Sequence, residues 1–173
     1  MCAYAQNVKV VVTEQAKLQA NQLPYTKHLT WQNFKGVMPE DNGYSALTST
    51  QFGYGLSIRT VDDKSTIKFT LRFYFDELGS KKKSTVSDSL LAHEQGHLDI
   101  AWCIYQQFKD SVQARQWQAK NIQAEASEVF HYYQQLTLDL QHQYDEATQH
   151  SVNREQQLLW DKKIAEMLAA LAY

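Results

Sequence analysis

Hydrophobic and polar residues alternate with a period of two in the first half of the chain. The clearest alternation covers Phe52 to Val61 and Ser65 to Phe75, which are joined by Asp62-Asp63-Lys64. Successive side chains of a strand point to opposite faces, so this pattern predicts an antiparallel hairpin with one buried face. Shorter β-like runs cover Val8 to Thr13 and His28 to Phe34. The residues expected on the buried face of the second hairpin strand are Ile67, Phe69, Leu71, Phe73 and Phe75.

After residue 84 the apolar residues recur every three or four positions, which is typical of a helix. Thr85-Val86-Ser87-Asp88 has the form of a capping box and predicts the start of the first helix. Two further helical regions are predicted over Val112 to Gln149 and over Val152 to Ala172. The pattern therefore predicts one α+β domain over residues 1–173, with a small antiparallel sheet packed on long helices.

Charge and cysteine content exclude several classes of protein. The chain has 17 basic and 19 acidic side chains, a net charge of −2, which provides no basic surface for nucleic acid. No apolar run is long enough to span a membrane. The two cysteines, Cys2 and Cys103, are too few for a disulfide-rich scaffold or a cysteine-based zinc site. Cys103 is expected to be a small buried residue of the first helix.

The first residues predict export. Residues 1–7 are expected to be disordered, or to be the remnant of a tag or signal peptide, because Ala3-Tyr4-Ala5 resembles the end of a secretory signal. Cys2 is a candidate for the lipid-bearing cysteine of a bacterial lipoprotein. The expected location is secreted, periplasmic or in the cell envelope.

One segment carries an H-E-x-x-H motif, His93-Glu94-Gln95-Gly96-His97, within the first predicted helix. Residues four apart lie on one face of a helix, so His93 and His97 can bind the same Zn²⁺ ion. Glu94 then lies beside the metal, where it can take a proton from zinc-bound water. Both histidines continue an inward apolar stripe, where imidazoles without a partner would be costly to desolvate. The motif therefore predicts a zinc site.

A catalytic zinc needs a third protein ligand, and no G-x-x-H follows His97 to supply one. The second helical region has an apolar stripe, which centres at about 20° if Val129 is placed at zero and each residue adds about 100°. His150 falls at about −60° on this scale, whereas Asp145 falls at about 160°. His150 is therefore the favoured third ligand. The candidates considered are His28, His131, His142, His150, Asp145 and Glu146.

Three segments resemble a bacterial family known as domain of unknown function 922, whose members are expected to be secreted zinc-dependent proteases. Leu91 to Ile100 resembles the zinc-motif helix of the family. Leu29 to Gly36 is similar to its W-x-D-F-x-G signature, with Asn33 where an acid is usual. Tyr144 to His150 is similar to its Y-D-x-x-T-x-H segment, followed here by Ser151 where glycine is usual.

The resemblance implies a zincin-like peptidase fold. It implies His93, His97 and His150 as zinc ligands and Glu94 as the catalytic base. Tyr144 is a candidate donor to the oxyanion, with a core aromatic as its alternative role. Asp99 is either a partner that orients a ligand imidazole or an exposed helix carboxylate.

We therefore predict a zinc metallopeptidase that uses Zn²⁺ and Glu94 to hydrolyse a peptide or protein substrate. The hairpin Ser65 to Phe75 could supply a sheet edge for that substrate. The alternative is a zinc-binding interaction module of the cell envelope without useful turnover, consistent with the glutamine-rich polar faces of the helices. A third option is a buried structural zinc, which would require four protein ligands.

Overall fold

The larger sheet is built around one long strand, β6 (Lys64–Asp76), in the computed structural model, which describes residues 7–62 and 64–171. Strand β5 (Thr50–Val61) pairs with β6 in antiparallel register from Thr50–Phe75 to Val61–Lys64. This confirms the predicted hairpin. On the opposite edge of β6 lie β1 (Asn7–Glu14) and, further along, the short β2 (Gln22–Leu23).

The prediction of a purely antiparallel sheet was wrong, because β1 runs parallel to β6. Parallel neighbours are joined by a long crossover rather than a tight turn, and the chain between β1 and β6 is long enough to provide one. Alternation along a strand reports which face is buried, but it does not report the direction of the neighbouring strand. The sheet is therefore mixed, within an α+β fold.

A second, smaller sheet combines two short strands that precede the hairpin in the chain with one that follows it. It contains β3 (Gly36–Val37), β7 (Lys81–Lys82) and β4 (Ala46–Leu47), in that order across the sheet. The predicted β-like run from His28 to Phe34 instead contains a short 3₁₀ helix, Trp31–Asn33. The Asn33 side chain accepts a hydrogen bond from the Thr30 backbone at 2.9 Å, which fixes this turn.

Three helices follow in the described part of the chain, α1 (Asp88–Ala114), α2 (Ile122–Thr148) and α3 (Arg154–Ala170). The cap of α1 is Ser87, whose hydroxyl accepts from the Leu90 backbone at 3.2 Å, so the predicted box starting at Thr85 began too early. The second helix begins later than predicted because Val112 still belongs to α1. The Val112 carbonyl accepts from the Trp117 indole in the connecting loop at 2.9 Å.

The main core lies between β6 and α1. All five predicted inward residues of β6 are buried, and Phe73 contacts Tyr105 of α1 with 5.3 Å between ring centroids. A second apolar cluster joins the three helices on the far side of α1. Its members are Ile100, Tyr144, Trp160 and Ile164. Helix α1 is therefore packed on two sides, which holds the H-E-x-x-H segment rigidly.

Among the described residues, no helix has the length and apolar character needed to cross a membrane. Residues 1–6 lie outside the described part of the chain, and so does the predicted lipid-anchored Cys2. Of the seven initial residues expected to be disordered, Asn7 begins β1. Cys103 is buried in α1 as predicted, and burial raises the pKa of its thiol to about 12. It is therefore uncharged at neutral pH.

Candidate metal centre

Helix α1 presents the H-E-x-x-H residues to a cleft. His93 and Glu94 are buried, while His97 is partly exposed at the floor of the cleft. The two imidazole rings are nearly perpendicular, and their Nε2 atoms are 3.2 Å apart. The pairing predicted from the four-residue spacing is therefore present in the folded chain.

Asp145 of α2 completes a three-residue group. Its Oδ1 atom lies 3.1 Å from His93 Nε2 and 3.0 Å from His97 Nε2. Among the described residues, these side chains form a group with the spacing required to hold a metal ion. Two ligands bound to one tetrahedral zinc at about 2.0–2.1 Å are about 3.3 Å apart, so the three atoms are nearly at ligand spacing.

Two glutamines fix the orientation of the imidazoles. His93 Nδ1 lies 3.0 Å from the Oε1 atom of Gln157, and His97 Nδ1 bonds to Oε1 of Gln141. The amide orientations are set independently, because Gln157 Nε2 donates to Asp161 and Gln141 Nε2 donates to the His97 carbonyl. Each Nδ1 must therefore carry the hydrogen, since it faces an oxygen acceptor.

It follows that Nε2 of each neutral ring points a lone pair toward Asp145 Oδ1. Three acceptor atoms then converge within 3.0–3.2 Å with no donor between them. Only a proton or a metal cation can stabilise such an arrangement. The donor set of two imidazoles and one carboxylate fits zinc.

The pKa shifts agree with this need for positive charge. Burial raises the pKa of Asp145, but its contacts with the His93 and His97 imidazoles outweigh burial and leave the pKa well below its usual value. For His97, burial lowers the pKa, whereas the Asp145 hydrogen bond and the charges of Glu94 and Asp145 raise it overall. Both shifts favour a cation held at this point.

Glu94 is held beside the group by Thr48. The Thr48 hydroxyl lies 2.6 Å from Glu94 Oε2 and 3.2 Å from the Glu94 backbone carbonyl. Thr48 lies between β4 and β5 and lines the cleft. The buried carboxylate therefore has a fixed orientation and still lines the cleft.

The cleft itself has a volume of about 1050 Å³ and is lined by two walls and a floor. Two stretches that line the cleft are called its walls: the segment 43–50, and parts of α2 with the turn after it. His93, Glu94 and His97 lie on the floor between them. This arrangement exposes the three-residue group and Glu94 to a common space large enough for a ligand.

Comparison with known protein families identifies the group to which these residues belong. The family model described as "Bacterial protein of unknown function (DUF922)" matches residues 30–151. The chain belongs to this bacterial family. The DUF922 match includes the H-E-x-x-H segment of α1 and the segment from Tyr144 to His150, so the family predicted from those segments is confirmed. No curated protein and no solved structure matches the chain.

In this DUF922 chain, His150 lies near the group but outside it. Helix α2 ends at Thr148, and three successive residues after it have left-handed backbones: Gln149, His150 and Ser151. His150 Nδ1 is 3.3 Å from Asp145 Oδ1, and its half-exposed ring packs edge-on against Tyr44 at 5.1 Å. Ser151 has φ 77°, a left-handed backbone conformation that favours glycine.

Tyr144 is fully buried and does not line the cleft. Its ring stacks on His93 with 4.6 Å between centroids, and its hydroxyl donates to the His93 carbonyl at 3.2 Å. The hydroxyl also accepts from Gln157 at 2.7 Å. These contacts are those of a core aromatic that supports α1.

Gly96 makes this packing possible. A β-carbon at position 96 would overlap the Tyr144 hydroxyl and lie 2.8 Å from its Cζ atom. Position 96, one of the two unspecified positions of the motif, therefore requires glycine so that Tyr144 of α2 can pack against α1.

The remaining candidates lie apart from the group. His142 pairs with Glu146 on the exposed face of α2, and the ring of His131 lies beside Ser127. His28 is exposed near the start of the 3₁₀ segment. Asp99 is half-buried and accepts a hydrogen bond from Gln95 at 2.8 Å, and among the described residues no hydrogen bond joins it to a motif imidazole.

Sequence reasoning did not identify Gln141, Gln157 or Thr48. Glutamine is common on the polar faces of all the helices, so composition gave no reason to single out two of them. Thr48 lies 46 positions from Glu94 in the chain. These contacts depend on how the helices and the 43–50 segment pack together.

Proposed function

We propose that this protein is a zinc-dependent peptidase, with His93, His97 and Asp145 as the metal ligands and Glu94 as the general base. The observation that carries the proposal is the convergence of three acceptor atoms beside a buried carboxylate at the floor of an open cleft. Catalytic zinc sites use three protein ligands and leave one position for water or substrate.

The chain supplies each part that peptide hydrolysis requires. Bound Zn²⁺ provides Lewis acidity, which lowers the pKa of a water molecule and polarises a carbonyl group. Glu94 takes a proton from the attacking water and later delivers it to the amine nitrogen that leaves. Thr48 keeps the carboxylate of Glu94 in one orientation through the 2.6 Å hydrogen bond. The glutamines hold both imidazoles with Nε2 toward the Asp145 carboxylate, and these three side chains would hold the metal.

Asp145 replaces His150 as the third ligand in this proposal. Asp145 Oδ1 is within 3.1 Å of both motif histidines, whereas His150 reaches the group only through Asp145. His150 Nδ1 lies 3.3 Å from Asp145 Oδ1 and helps to hold that carboxylate in place. The earlier assignment of His150 as a ligand becomes the competing hypothesis, which ligand variants can test.

The test is Glu94→Gln with two measurements on the same preparation, zinc stoichiometry and hydrolysis of a denatured protein substrate. Glutamine has nearly the shape of glutamate but cannot accept the proton, so activity should fall by about 10²–10⁴-fold. Zinc content should remain near one per chain, because Glu94 is not a ligand.

Wild-type activity should be lost with a chelator and restored by zinc. Zinc bound without turnover on any substrate would favour the alternative, a metal-binding interaction module of the cell envelope. No zinc uptake on titration would overturn both proposals.

A further inference from the structure

The walls of the cleft expose large apolar side chains to solvent. Leu47 and Tyr44 on the 43–50 wall are 50% and 54% exposed. Leu138 and Val152 on the opposite wall are 63% and 77% exposed. Exposed apolar residues on two sides of one groove indicate a surface that is covered when a ligand binds.

The charges in the cleft are confined to the proposed active site. Among the described residues that line it, none is lysine or arginine. The acidic ones are Glu94 and Asp145, which are engaged by Thr48 and by the histidines. The described lining therefore offers no lysine or arginine for a terminal carboxylate and no free carboxylate for a terminal amine.

One wall is also suited to an extended chain. Strand β4 pairs with β7, and it forms an edge of the smaller sheet in the described part of the structure. The backbone of an extended polypeptide can pair with such an edge, while its side chains reach the apolar residues on either wall.

From these observations we infer that the substrate is an internal segment of a polypeptide with uncharged, apolar side chains on both sides of the scissile bond. The inference rests on the proposed peptidase function and adds its specificity. Leu47 and Leu138 contact the side chains that flank the scissile bond. The enzyme is an endopeptidase, because neither chain terminus finds a lysine, an arginine or a free carboxylate among the described residues of the cleft.

The first experiment uses zinc-loaded wild-type protein and internally quenched peptides of equal length. The peptides differ only in the two residues at the scissile bond, which are leucine or phenylalanine, lysine, or aspartate. We expect kcat/KM to be at least about tenfold higher for the apolar pairs, the size of effect that a hydrophobic pocket provides. Peptides in which the apolar pair lies at a free terminus should be cleaved more slowly.

The second experiment changes the walls. Leu138→Asn and Leu47→Asn should each lower kcat/KM for the apolar peptides by about tenfold or more, with zinc content unchanged. Leu138→Met should retain most of the rate. The control is Leu158→Asn on α3, because Leu158 is 61% exposed and does not line the cleft.

Several outcomes would overturn the inference. Equal cleavage of all the peptides, a preference for charged flanks, or a preference for terminal residues would overturn the specificity while leaving the peptidase intact. Unchanged rates in both wall variants would do the same. If zinc-loaded wild-type protein cleaved none of the peptides, and also failed on denatured protein, the proposed function would fail together with this inference.

Discussion

Asp145 is the residue on which the proposed site depends most. It contributes the only negative ligand atom of the described group, and that atom contacts both motif histidines. Its removal would leave two imidazoles without a third ligand and would remove the charge that stabilises a cation at this point.

Asp145→Ala and His150→Ala therefore distinguish the two candidates for the third ligand. We expect Asp145→Ala to weaken zinc binding by more than the roughly 10–100-fold seen when an outer partner of a ligand is removed. His150→Ala should remain within that range, because His150 acts through Asp145. Competition with a zinc chelator measures both affinities. The reverse order of effects would restore His150 as the ligand.

The glutamine partners provide a second test. Gln141→Leu removes the acceptor for His97 Nδ1, so the ring can rotate or change tautomer. Zinc affinity should fall by about 10–100-fold. The matched control is Gln143→Leu, an exposed position two residues further along α2. Equal affinities in the two variants would show that Gln141 does not orient the imidazole.

The helical angle from the sequence places Asp145 away from the inward face, whereas the structure brings it to the motif histidines, and the packing of α2 explains the difference. On the angular scale of α2, the buried residues Ile122, Ala126 and Val129 lie between about 0° and 60°. Near the end of the helix the buried residues are Tyr144 and Thr148, at about 60° and 100°. The inward face therefore rotates along α2 as its neighbours change, and Asp145 comes to lie beside the cleft.

The helical angle of about −60° for His150 assumes that α2 continues to that residue. The chain instead turns through left-handed backbone at Gln149, and an angle based on a regular helix has no meaning beyond that residue. By contrast, His93, Glu94 and His97 were predictable because their spacing lies within one rigid helix. Local periodicity is sufficient to predict the motif residues of α1. It does not predict which residues of α2 pack beside them.

The contact between α1 and α2 gives a prediction about Gly96. A β-carbon there would collide with Tyr144, which is confined between His93 and Trp160. Alanine normally stabilises a helix relative to glycine by about 0.5–1 kcal/mol. The clash should outweigh this gain, since overpacking of a core costs about 1–3 kcal/mol.

Gly96→Ala should therefore lower the free energy of unfolding, measured by urea denaturation, and should weaken zinc binding by shifting α1 against α2. Gly55→Ala in β5 is the control, because the nearest atoms to its added β-carbon are 3.9 Å away. A stability of Gly96→Ala equal to or above wild type would mean that Tyr144 moves aside at little cost.

In the molecule as a whole, the site links α1 to α2, so the charge of the site should affect global stability. In the metal-free protein the folded-state pKa of Asp145 is lowered. The ionised Asp145 carboxylate therefore stabilises the fold above about pH 4, and this stabilisation is lost as the pH falls through the lowered pKa. The pKa of His97 is raised. The protonated imidazole therefore stabilises the fold fully below about pH 6.5, and this stabilisation is lost as the pH rises through the raised pKa. The pair therefore stabilises the metal-free fold most in mildly acidic solution.

Zinc binding should have the opposite dependence on pH, because the metal requires imidazoles without a proton on Nε2. We expect the increase in Tm on adding zinc to be large at about pH 8 and small at about pH 5.5, since protons compete for the ligands below the ordinary histidine pKa of about 6.5. Scanning calorimetry of metal-free and zinc-loaded protein at both pH values measures this increase. Asp145→Asn is the control, in which the increase should be small at both pH values because a ligand charge has been removed. An increase in Tm that is independent of pH, or larger in acid, would show that zinc does not bind through His93 and His97, and would place the metal elsewhere on the chain.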